Sequence, residues 1–195
     1  MRHTHPASRG YSLIELIFAL GLIGVLAALA VPIASDTIDH VRTSGAARYM
    51  AARVAAVRLD AVRRSTTVAI RFDRLGADYT FAPLVDGNGN GLRAADVTSG
   101  VDRPIGPAER LSDRFAGTSF GLLPGIPDLD GSSASSDGVR IGPSSFLSVS
   151  PNGSCTGGTL YVHGRRGQYA VRILGATGRV RFYSFDRGAG RWITR

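Results

Sequence analysis

Lysine is absent from this 195-residue chain, so all 23 basic side chains are arginine. Cysteine occurs once, at Cys155, which excludes an internal disulfide framework and a zinc site built from several cysteines. Histidine occurs four times, and two of these, His3 and His5, stand at the extreme N-terminus. Little is left for histidine catalysis or a histidine metal centre. Acids are unevenly spread: residues 138–195 hold nine arginines against one aspartate, whereas residues 66–137 hold six arginines against ten acids. The formal net charge of +8 therefore sits at the C-terminal end. No Ser/His/Asp, Cys/His or paired-carboxylate arrangement has supporting spacing, which disfavours a conventional enzyme.

A long uncharged run is present instead. From Leu16 to Ala34 the chain reads LIFALGLIGVLAALAVPIA. At about 1.5 Å per residue this spans the hydrocarbon core of a bilayer as a helix. A cleaved secretory signal shares the basic leader (Arg2, Arg9), but its apolar region is usually about 7–15 residues and ends in a small-x-small site before a polar start. Here the run is longer and passes directly into a helical pattern. At its head stands Glu15, and a carboxylate at membrane depth costs roughly 2.5–3.5 kcal/mol, so it needs a partner or a function.

The segment Gly10, Tyr11, Ser12, Leu13, Ile14, Glu15, Leu16 resembles the class III signal of type IV pilins and type II secretion pseudopilins, usually Gly-Phe-Thr-Leu-Ile-Glu-Leu. Tyr11 and Ser12 are mild departures, and Pro32 falls where those proteins commonly carry a helix-bending proline. The resemblance implies cleavage after Gly10 by a membrane prepilin peptidase and methylation of the new terminus at Tyr11. It also implies that Glu15 neutralises the Tyr11 amine, its own or an adjacent subunit's, because opposite charges attract strongly in low dielectric.

Residues 33–65 continue as a helix, with Ile38, Val41, Ala47, Met50, Ala51, Val54, Val57, Ala61 and Val62 forming one apolar stripe. Arg42, Arg48, Arg53, Arg58, Arg63 and Arg64 are expected on a solvated face, and Gly45 is a point where the helix can bend. After Ser65 the period changes to short alternating segments: 67–72, 79–85, 119–123, 139–141, 146–149, 159–163, 169–174 and 179–185. Gly, Pro, Asn and Asp clusters separate them, the pattern of an antiparallel β-domain. Gly164–Gly167 and Gly175–Gly178 read as tight turns joining the last three strands into a meander. The expected fold is α+β and pilin-like: leader 1–10, transmembrane helix 11–34, amphipathic continuation 35–65 and β-domain 66–195.

Two loops and one strand are candidate sites. Asp86, Gly87, Asn88, Gly89, Asn90, Gly91 fits the first six positions of an EF-hand-type calcium loop, with alternating oxygen ligands and a glycine at the turn. Position twelve is Val97 rather than Glu, and Asp96 is the nearest acid, so calcium on Asp86, Asn88, Asn90 and Asp96 needs a shortened loop. No cofactor is required, and calcium is the single candidate. Asp128, Asp130 and Asp137 flank GSSASS, which reads as disordered. His40 and His163 have no metal-ligating neighbour, and Cys155 reads as an inert, partly buried thiol.

The β-domain is similar to the GspH/FimT family of minor pseudopilins at Phe146, Pro151, Gly153, Thr156 to Leu160 and Gly178 to Arg181, with residues 86–137 lacking a clear counterpart. In the FimT branch a Gly-Arg-x-Arg motif is associated with DNA binding in natural transformation. Here that motif offers Arg179 and Arg181 on one strand face, with Val180 opposite, and the basic C-terminal segment supplies phosphate contacts. The leading expectation is a minor pseudopilin of a type II secretion system, held in the inner membrane by a single pass with its β-domain in the periplasm. Its partners are other pilins or pseudopilins and the prepilin peptidase. The alternative is a minor pilin of a type IV pilus that binds DNA. A membrane-tethered periplasmic enzyme would need a polar pocket that the sequence does not display.

Overall fold

A computed structural model describes residues 10–132 and 136–195. Its contacts divide the chain into two compact units, one ending at Ile38 and the other running from Asp39 to Arg195. Helix α1 (Leu13–Arg64) contributes to both. It is followed by β1 (Val68–Leu75), β2 (Asp78–Val85), α2 (Ala94–Ser99), β3 (Arg103–Pro104), β4 (Glu109–Arg110) and α3 (Leu111–Arg114). The chain continues through β5 (Ser119–Phe120), β6 (Val139–Ile141), β7 (Phe146–Val149), β8 (Gly158–His163), β9 (Gln168–Leu174), β10 (Arg179–Asp186) and β11 (Arg191–Thr194). A long helix followed by antiparallel sheets is the expected α+β, pilin-like architecture.

Two sheets form. In the first the order is β3-β2-β1-β7, with β4 also on β2; in the second it is β11-β10-β9-β8-β5, with β6 also on β8. The expected meander is β8, β9 and β10. Its turns close through Gly164 N–H to the Gly167 carbonyl at 2.9 Å and Gly178 N–H to the Leu174 carbonyl at 2.8 Å. Gly178 sits at φ 61°, in the left-handed region that a side chain disfavours.

From Asp39 onward, α1 buries Ala46, Ala47, Met50, Val54, Val57 and Ala61 against inward residues of both sheets, among them Ile70, Phe72, Leu147, Leu160, Val171 and Ile173. Three members of the expected stripe are corrected: Ile38, Val41 and Val62 are exposed. At about 100° per residue Val41 lies roughly 200° around the helix from Thr43, which takes its place inside. The helix also continues unbroken through Gly45. A Cβ there would stand 3.0 Å from the Phe115 ring, so this glycine admits an aromatic edge.

Not every arginine of α1 is solvated. Arg53 pairs with Glu109 at 3.0 Å, and the Arg48 guanidinium lies 5.9 Å from the centre of the Phe182 ring. Glu109 also takes Arg114 Nε at 3.0 Å and the Tyr49 hydroxyl. Burial alone would raise its carboxyl; these partners hold it below the usual range. The helix closes at Ser65, whose φ of 52° lets the Thr66 N–H reach the Ala61 carbonyl.

The expected strand 119–123 shortens to β5; Gly121, at φ 153°, donates one more in-register N–H to the Tyr161 carbonyl and the strand goes no further. Around GSSASS the described flanks are ordered, against expectation. Asp128 accepts N–H bonds from Asp130 and Ser132, and Asp137 accepts the Tyr79 hydroxyl at 2.7 Å. Burial and that carboxylate push the Tyr79 hydroxyl up to about 12. Residues 133–135 lie outside the described residues.

Candidate functional site

The N-terminal segment is built from its own first turn. The Ser12 hydroxyl accepts the Glu15 N–H at 3.2 Å, and the Ser12 carbonyl accepts the Leu16 N–H at 3.2 Å. Ser12 is thus the N-cap of α1, and Ser12-Leu13-Ile14-Glu15 has the spacing of a capping box. Glu15 also sits where the helix dipole favours negative charge. Gly10 and Tyr11 are exposed, and a Cβ on Gly10 would meet nothing within 4 Å.

From Leu16 to Val31 the helix is apolar on every side. Leu16, Phe18, Leu22, Val25 and Leu29 are each more than half exposed, from 54% to 76%. A helix that is apolar all round is stable only where lipid or other helices cover it. It is long and apolar enough to cross a membrane.

The loop after β2 wraps around carboxylates. Asp86 Oδ1 accepts the N–H of Asn88 at 3.2 Å and of Gly89 at 2.7 Å, while Oδ2 accepts Gly91 N–H at 2.8 Å. Asp102, which sequence reasoning missed, is 1% exposed and accepts Gly87 N–H at 3.0 Å and Arg93 N–H at 3.2 Å. The second oxygen of Asp96 is buried and has no hydrogen-bond partner. Asn88 offers its amide oxygen to Asn90 N–H at 3.2 Å. Among the described residues no group of three His, Cys, Asp or Glu side chains is placed to hold a metal, so a cation here must draw on amide and main-chain oxygens as well.

The outer face of the second sheet carries the arginine motif. Val180 and Phe182 pack into the core, while Arg179 and Arg181 are exposed on the opposite face. Among the described residues neither guanidinium has an acidic partner. Register places Arg181 opposite Arg172, Arg172 opposite Thr159, and Thr159 opposite Arg140. Four side chains thus form one row across four strands. Arg172 donates to Thr159 Oγ1 at 3.2 Å and pairs with Asp130 at 2.5 Å; Arg140 pairs with Asp128 at 2.5 Å. The pairing with Asp130 raises the Arg172 guanidinium above its ordinary value. The row was not legible in the sequence, because it depends on strand register.

The remaining candidates are structural. His40 stacks at 5.5 Å on Tyr169, whose hydroxyl meets its ring, and His163 lies in β8. Burial pushes the Cys155 thiol up, in keeping with an inert side chain. A cleft of about 500 Å³ is lined by Arg71, Asp73, Arg93, Ser144, Ser145 and Phe146; its carboxylate, Asp73, is paired with Arg71 at 2.7 Å.

Comparison with known proteins agrees with the N-terminal geometry. The family described as Prokaryotic N-terminal methylation motif matches residues 6–31. Over 82 residues the chain is 38% identical to the Pilin-like protein PilA1 of Thermus thermophilus, covering 42% of this chain and 51% of that protein. The match therefore spans about half of that relative's length. No solved structure matches. The methylation motif, the apolar capped helix and the antiparallel sheets together support a class, the type IV pilin-like structural proteins. The resemblance to PilA1 is the particular likeness within it.

Proposed function

We propose that this chain is a minor pseudopilin of the GspH/FimT type, a subunit of a type II secretion pseudopilus assembled from the inner membrane. The observation that carries the reading is a capped helix whose apolar side chains from Leu13 to Val31 are exposed and which holds a single carboxylate, Glu15, in its first turn. Prepilin peptidase cleaves after Gly10 and the Tyr11 amine is methylated. The helix then waits in the bilayer as a single-pass anchor with the β-domain in the periplasm. On assembly, neighbouring helices replace lipid, and Glu15 pairs with the Tyr11 amine of the adjacent subunit to set register. Replacing Glu15 by Leu removes a charge from the apolar segment, so membrane insertion should persist while crosslinking to partner subunits in membranes is lost. Unchanged crosslinking would refute the role of Glu15.

A second reading is supported by the exposure of Arg179 and Arg181 without acidic partners among the described residues: a type IV minor pilin that contacts DNA phosphates through this pair. Phosphate contact is sequence-independent and falls steeply with salt. Calcium is proposed for the Asp86 loop, held by Asp86 and Asp96 with the amide oxygens of Asn88 and Asn90. The partnerless Asp96 oxygen supports this placement. The ion's role would be to pin the loop.

A further inference from the structure

The arginine row on the second sheet is half covered by acids from one neighbouring loop, and the two acids are held very differently. Asp128 is 5% exposed at its side chain and, besides Arg140, is fixed by the N–H groups of Asp130 and Ser132. It is a staple of the loop. Asp130 is 63% exposed at its side chain, and the described hydrogen bond of its carboxylate goes to Arg172 Nη2. An exposed ion pair of this kind is weak and screened by salt.

Strands in a sheet lie about 4.8 Å apart, so Arg172 and Arg181, directly opposite in register, present two guanidiniums on adjacent strands. Arg179, two residues from Arg181 along β10, lies on the same face about 6.8 Å away. A polyanion seated on Arg179 and Arg181 therefore has Arg172 as its next cation. That cation already has a carboxylate on it.

We propose that Arg172 is a third phosphate-contacting residue of this face and that Asp130 is an intramolecular competitor for it, a carboxylate standing where a DNA phosphate binds. The proposal rests on the DNA reading above and deepens it. While Asp130 sits on Arg172 the phosphate contact there is not made, and Asp128, buried and bonded to the main chain, keeps the loop in place. Affinity is thereby set lower than the arginine count implies. No covalent step is involved.

The test is fluorescence polarisation of a labelled DNA duplex with the full chain in a non-ionic detergent, across 50–200 mM salt. Removing Asp130's charge with Asp130→Asn should tighten binding and steepen the log-log salt slope by about 0.9, one phosphate more. Over a fourfold rise in salt that is an extra loss of about 3.5-fold in affinity. Arg172→Gln added to Asp130→Asn should return the slope to that of the unmodified chain. If Asp130→Asn leaves affinity and slope unchanged while Arg179→Gln with Arg181→Gln still weakens binding, the competitor role is overturned and the DNA reading stands. Absence of DNA binding at 50 mM salt in both the unmodified chain and Asp130→Asn overturns both. If anionic vesicles bind the Asp130→Asn chain more tightly and DNA does not, the partner assignment is wrong.

Discussion

Asp39 is the side chain through which the start of the helical segment of the larger unit grips the turn between β8 and β9, and its removal has a calculable cost. Its Oδ1 accepts the Arg165 N–H at 2.8 Å, and Oδ2 accepts those of Arg166 at 2.9 Å and Gly167 at 3.0 Å. Any side chain on Gly164 would strike Asp39 and Thr43, so the turn is shaped to this contact. A hydrogen bond to a charged group contributes about 1.5–3 kcal/mol, but the N–H groups of exposed Arg165 and Arg166 regain water when the acceptor goes. Asp39→Ala should therefore cost roughly 2–3 kcal/mol, one full bond and two discounted ones. For a chain of this size that lowers the midpoint of thermal unfolding by about 4–12 °C.

The pH dependence gives a sharper check. Burial alone would raise the Asp39 carboxyl, but the three N–H bonds hold it below its ordinary value of 3.8. A lowered native pKa means that the stabilisation is fully present above 3.8 and is lost as pH falls toward the lower native value. The gap between the unmodified chain and Asp39→Ala, measured by near-ultraviolet circular dichroism in detergent, should thus be wide at pH 7 and narrow below pH 3.8. A midpoint within about 1 °C of the unmodified chain at pH 7, or a gap that does not narrow in acid, would refute this reasoning.

Two other perturbations test the packing and the loop. Gly45→Val places branched carbons against the Phe115 ring, whose edge lies 3.0 Å from where a Cβ would stand, and should destabilise by about 1–3 kcal/mol despite the gain in helix propensity; thermal unfolding checks it. Millimolar calcium should raise the unfolding midpoint, the stabilisation being about 2.7 kcal/mol at a hundredfold excess over Kd. Asp96→Asn should abolish that rise while leaving the calcium-free midpoint unchanged, because the partnerless oxygen of Asp96 surrenders no bond.

What was legible in the sequence was local or periodic. The uncharged run and the spacing of Met50, Val54, Val57 and Ala61 specify α1, and alternation around Gly-rich turns locates the β8–β10 meander within a residue or two. The Gly10–Leu16 segment is recognisable because its parts are contiguous. The rest depends on contacts between distant residues. Asp39 meets a turn more than 120 residues away, and Phe115 meets Gly45, neither of which a pattern in one segment reveals. β11 is only four residues long, and its Trp192 is fixed by an indole N–H to the Pro127 carbonyl. Arg179 and Arg181 were visible as an alternating pair, but Arg172 joined them only through register, and Asp130 only through the folded loop.

The central claim is that the chain matures as a pilin-like subunit, with a new N-terminus created between Gly10 and Tyr11 and the apolar helix kept. Intact-mass and N-terminal fragment analysis of the chain recovered from membranes tests this directly. A single species beginning at N-methylated Tyr11 is expected, with accumulation of the uncleaved chain for Gly10→Val. A mature chain beginning beyond Ala34, as cleavage of a secretory signal would produce, or one still carrying the leader in cells with an active prepilin peptidase, would contradict it.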